Sequence, residues 1–134
     1  MTRIVVGIVL ALHGLVHLLY AAHGQRVLEL QPDMRWPDDS WALSGLLGTG
    51  ATRAVAAGWC LVGAMGFLTG SVGYLMQQGW WQPLIIVSAS LSIAMVVILW
   101  DGRLRSLDDQ GLIALLLNGL ILVILVVLRW PASP

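Results

Sequence analysis

The side chains best placed to do chemistry are His13 and His17, inside the apolar run IVVGIVLALHGLVHLLYAA at positions 4–22. Four residues apart, they share one helical face, one turn above the other. Imidazoles so placed can hold the polar head of an apolar ligand, share a metal ion, or bond to a neighbouring helix. A metal reading needs further ligands, and no carboxylate or thiolate accompanies the pair, so no metal site is predicted. Two histidines on one helix also cannot clamp opposite faces of a haem, which disfavours that cofactor. The other polar candidates are Asn118, within a later apolar run, and Asp101, where another run ends. A proton path needs more titratable stations than these. His23, beside Gly24, is expected to be solvated. There is no nucleophile elbow, phosphate loop or catalytic carboxylate pair, so no catalytic residue is assigned and an enzymatic role is not expected.

The elements that carry these residues follow from composition. The chain has 134 residues, 58% hydrophobic and only 10% charged, with mean hydropathy +0.85. A soluble domain carries about 25% charged residues. Three more apolar runs occupy 54–76, 84–100 and 111–130. Nineteen residues of helix span about 28 Å, close to a bilayer's hydrocarbon thickness. The runs are continuous, where barrel strands would alternate. The expected fold is all-α: one transmembrane domain over 1–134, an integral membrane four-helix bundle with a roughly 30-residue extramembrane loop between helices 1 and 2. The first run is too long for a signal-peptide core, so cleavage there is not expected.

That loop, residues 24–53, holds Glu29, Asp33, Asp38 and Asp39 with Arg26, Arg35 and Arg53. Asp38-Asp39-Ser40 is expected to cap a short helix near Trp41, which Gly45, Gly48 and Gly50 weaken. Trp36, Trp41, Trp80, Trp81 and Trp130 are expected interface anchors. In helix 2, Gly63, Gly66, Gly70 and Gly73 form a close-approach stripe that faces another helix, in this chain or in a second copy. Pro83 suits the start of helix 3. Ser88 and Ser92 share a face there, but such hydroxyls commonly bond their own backbone. Asp108 or Asp109 can cap helix 4, and Pro131 stops it. Cys60, the single cysteine, excludes an intramolecular disulfide. By depth, His17 and Asn118 can meet if helices 1 and 4 are neighbours.

All seven basic residues are arginines and the net charge is zero, so nucleic acid is not an expected partner. Arg3 and Arg129 share the side of the termini; Arg26, Arg35, Arg53, Arg103 and Arg105 lie on the other. The positive-inside rule then places both termini outside the cytoplasm.

The pattern His13-Gly14-Leu15-Val16-His17-Leu18, the polar loop after it, and a span ending Trp100-Asp101 before a helix opened by Gly111 resemble a group of small bacterial four-span membrane proteins. These are uncharacterised and loosely termed DoxX-like. The resemblance implies four helices and a bacterial inner-membrane location, and brings no established reaction. The leading functional expectation is a non-catalytic accessory or assembly subunit of a membrane complex, or a homo-oligomer, with membrane lipids around it and no resident cofactor. The alternative is a lipid- or quinone-binding protein, redox-linked or not, that uses His13 and His17. An oligomeric small-molecule transporter is third, and the lack of a membrane-embedded carboxylate weighs against it.

Overall fold

A computed structural model describes residues 1–108 and 110–131, and every regular element among them is helical. Helix α1 runs Thr2–Gly24 and α2 runs Ser44–Leu75; α3 runs Trp81–Leu99 and α4 Leu112–Leu122, continued by a π-helical turn Val123–Val127. A short 3₁₀ turn, Leu104–Ser106, interrupts the α3–α4 connection. The first three helices, of 23, 32 and 19 residues, are long and apolar enough to cross a membrane. The fourth apolar run forms a shorter helix, Leu112–Val127, about 24 Å long at 1.5 Å per residue, and stops short of Trp130.

Helix α1 buries Gly7, Leu10, His13, Gly14, His17, Ala21 and Gly24, the three-and-four spacing of one helical stripe. Gly14 lets α2 approach: a β-carbon there would stand 3.1 Å from the Phe67 β-carbon and 3.3 Å from the Ala64 carbonyl. Close by, Ser71 donates to the Gly7 carbonyl at 2.7 Å. The opposite face leaves Ile4, Ile8, Leu12, Leu15 and Leu19 exposed, a continuous apolar surface that water would not tolerate.

Helix α2 begins at Ser44 rather than at 54, because the short helix expected near Trp41 joins it end to end. The join is Gly48, at φ 76° and ψ 169°, a conformation open to glycine without steric cost. Ser40 takes the Leu43 N–H ahead of this segment, whereas the Asp38 carboxylate turns instead to arginines. Pro83 falls in the first turn of α3, where its missing N–H is harmless. Among the described residues no side chain caps α4, which starts after Gly111 at φ 118°. Asp108 therefore does not fill the expected capping role, and Asp109 lies outside the described residues. The Leu107 carbonyl takes the first N–H of α4 instead.

Neighbouring helices pack in chain order, α1 on α2, α2 on α3, α3 on α4, and no Cα of α1 comes within 8 Å of α3 or α4. The glycine stripe closes the first two seams. Built β-carbons at Gly63, Gly66, Gly70 and Gly73 would collide with His17, Ser88, Ile85 and Trp80 respectively, so all four meet residues of this same chain. One apolar cluster gathers Ala21, Trp36, Ala56, Cys60, Met95, Val96 and Leu99. The other gathers Leu10, Phe67, Ile85, Ala89 and Leu125. By register, the layer between them holds His13, His17, Ser92 and Asn118.

The aromatic anchors divide. Trp41 is 63% exposed and Trp80 and Trp130 about half so. Trp81 is half-buried against Tyr74, ring centroids 4.7 Å apart. Trp36 is not at the surface at all: it is 2% exposed and meets Tyr20 edge-on at 5.3 Å. The loop after α1 folds back over the bundle end, and of its two tryptophans Trp36 is driven inward while Trp41 stays outside.

Candidate functional site

Helix periodicity sets His13 and His17 on the buried stripe of α1, and Phe67 of α2 packs against both rings, 4.6 and 5.3 Å between centroids. Glycine at 63 makes room for His17; a β-carbon there would stand 2.7 Å from its Cδ2. Buried imidazoles need partners, and α3 and α4 supply them. Nδ1 of His17 donates to the His13 carbonyl at 3.0 Å, and its Nε2 lies 2.9 Å from Ser92 Oγ. Asn118, fully buried, donates from Nδ2 to Ser92 Oγ at 2.9 Å and to the Ala114 carbonyl at 2.7 Å. Its Oδ1 stands 3.1 Å from His13 Nε2.

The direct partner of Asn118 is thus His13, one turn deeper than the expected His17, with Ser92 standing between His17 and the amide. The cause is the start of α4. Gly111 lies against Val96, about one turn inside the end of α3, so Asn118 reaches deeper than counting from 111 suggests. Ser92 was not foreseen in this role. Its neighbours Ser88 and Ser90 do bond their own helix, at the Leu84 and Ile86 carbonyls, and nothing in sequence separates Ser92 from them except its sharing a depth with His17.

Two cavities flank this layer, and His13 and Val16 line both. Toward the loops lies a space of about 20 Å³ among His17, Tyr20, Trp36, Ser92 and Gln110, large enough for one water. On the other side a cleft of about 470 Å³ opens between α1 and α4. Val9, Leu10 and Leu12 form one wall, Leu117, Leu120 and Ile121 the other, and Trp81 and Trp130 stand at its far end. It exists because α1 and α4 face each other without backbone contact. Its size is that of a small-molecule pocket, and its lining is apolar apart from the imidazole.

Asp101 does not join the site. Its backbone N–H goes to Gln110 Oε1 at 3.0 Å and its carboxylate takes the Arg103 N–H at 2.8 Å, which fixes the α3–α4 turn. His23, expected to be solvated, is 1% exposed and lies beneath the folded-back loop, where Nδ1 accepts the Leu30 N–H at 3.3 Å. Asp38 anchors that loop, with Arg53 at 2.6 Å and Arg26 at 2.7 Å. The hydrogen bond from Arg53, reinforced by Arg26, holds its carboxyl below the ordinary carboxylate value despite partial burial. No group of three or more His, Cys, Asp or Glu side chains capable of holding a metal occurs among the described residues. Compared with known proteins, the chain matches no family model, no curated protein and no solved structure.

Proposed function

We propose that this chain is a four-span membrane protein that binds a membrane-soluble ligand in the α1–α4 cleft, with His13 holding the ligand's polar head. The observation that carries this reading is a 470 Å³ apolar cleft with a buried imidazole on its wall. Polar groups at membrane depth face interiors or cavities, and a lipid-soluble molecule enters such a cleft sideways from the bilayer. The expectation of an accessory subunit or homo-oligomer drew on the glycine stripe, and those glycines are occupied within the chain. In this reading the fourth span is the shorter Leu112–Val127 helix, the membrane is the bacterial inner membrane, and both termini lie outside the cytoplasm. No reaction is assigned.

The test is purification in mild detergent followed by native mass spectrometry. A bound small molecule should accompany the chain and disappear in Ile121→Trp, which fills the cleft from α4, while helical content is unchanged. A chain that carries no ligand but retains a stoichiometric protein partner would overturn the reading and favour an accessory subunit.

A further inference from the structure

Carbonyl oxygens only accept hydrogen bonds, and two of them fix the protons of the whole polar layer. The Ala114 carbonyl takes an Asn118 Nδ2–H at 2.7 Å, so the amide must present Oδ1 to His13, and His13 must donate from Nε2. The His13 carbonyl takes the Nδ1–H of His17, so the neutral His17 offers a bare Nε2 and receives the Ser92 hydroxyl proton. The Ser92 oxygen then accepts the second Nδ2–H of Asn118. Every donor and acceptor in this layer agrees on one arrangement.

One lone pair is left over. With Nε2 carrying the proton, neutral His13 has a bare Nδ1, and that atom has no hydrogen-bond partner among the described residues. His13 is only 7% exposed, yet no enclosed side-chain nitrogen or oxygen lacks a partner among the described residues. Nδ1 is therefore open to one of the two spaces that His13 lines, and of these only the cleft has room for more than a single water. We infer that the cleft selects an apolar alcohol or phenol, whose hydroxyl donates to His13 Nδ1, over an equally apolar molecule whose head can only accept. This rests on the cleft-binding reading above and adds the chemistry of the head.

Farnesol and farnesyl methyl ether test it, since they share a chain and differ in the hydroxyl proton. Both are offered together to the full chain in nanodiscs, and occupancy is read by native mass spectrometry and corrected for partition into empty nanodiscs. The alcohol should be preferred about 3- to 10-fold, the worth of one neutral hydrogen bond. Asn118→Leu frees the imidazole to turn an N–H outward, and the preference should fall to parity with binding retained. His13→Phe should likewise bind both equally. Equal binding by the wild-type chain, or preference for the ether, overturns the head selection and leaves the cleft reading standing. Binding of neither overturns both. If both variants fail to fold, the wild-type pair decides alone.

Discussion

His13 Nε2 and Asn118 Oδ1, 3.1 Å apart, make the one direct polar link between α1 and α4 among the described residues. Those helices otherwise stand apart around the cleft. The pair is both a strut across an open seam and the device that sets the protonation of the ring beside it.

Removing one end of the strut should cost more than removing both would suggest. Asn118→Leu leaves the His13 N–H and the Ser92 hydroxyl short of a partner, and each interhelical hydrogen bond in a membrane is worth about 0.6–2 kcal/mol. His13→Leu and Asn118→Leu should each lower the thermal midpoint in detergent. The double variant should lose less than the sum, with coupling of roughly 0.5–1.5 kcal/mol. Strict additivity in the thermal melts would show that the two residues do not act as a pair.

Glycine positions on α2 and α4 should separate by what surrounds them. Gly63→Ala pushes a methyl into His17 and Gly70→Ala into Ile85, with overpacking worth about 1–3 kcal/mol each. Gly58→Ala and Gly119→Ala meet nothing within 4 Å, so helix propensity should make them neutral or stabilising by up to about 1 kcal/mol. Because the stripe is filled from within, Gly63→Ala should leave the oligomeric state unchanged by light scattering. A shift in mass would place that face between chains.

Acid should loosen the loop before the helices. The Asp38 carboxyl is held below its unfolded value, so its ion pairs contribute full stability above the ordinary carboxylate value of about 3.9. That contribution is lost as pH falls through the depressed folded value. Protection factors against hydrogen exchange across residues 25–43 should fall in that range and be insensitive to it in Asp38→Asn, which loses the anchor at every pH. An unchanged acid response in the variant would assign the effect to other groups.

The proposed orientation rests on five arginines at the loop end against two at the termini. A phosphatase fused after Pro134 should be active outside the cytoplasm, and a fluorescent protein fused there should stay dark. Replacing Arg103 and Arg105 by Gln should weaken this preference. A bright C-terminal fusion in the parent chain would reverse the assigned topology.

Much of this architecture was legible in the residues. Continuous apolar runs at positions 4–22 and 84–100 need helices because an unpaired backbone is too costly away from water, and three of the four runs form helices of spanning length. The three-and-four spacing of Gly63, Gly66, Gly70 and Gly73 marked a packing face, and the Ser88 hydroxyl went to its own helix as expected. Composition and periodicity act within one helix, so one strand of sequence suffices to read them.

Which helix each face meets, and at what depth, is a relation between segments, and only the folded chain decided it. Where α4 begins relative to α3, at Gly111 against Val96, passed Asn118 from His17 to His13 and drew Ser92 between them. The inward turn of the loop buried Trp36 and His23, although a place in a charged loop for one and at a helix exit for the other suggested a surface. The cleft itself appears in no local pattern: it is space left because α1 and α4 never touch through their backbones. Sequence made His13 a buried polar residue in need of partners; tertiary packing supplied one to Nε2 and left Nδ1 open.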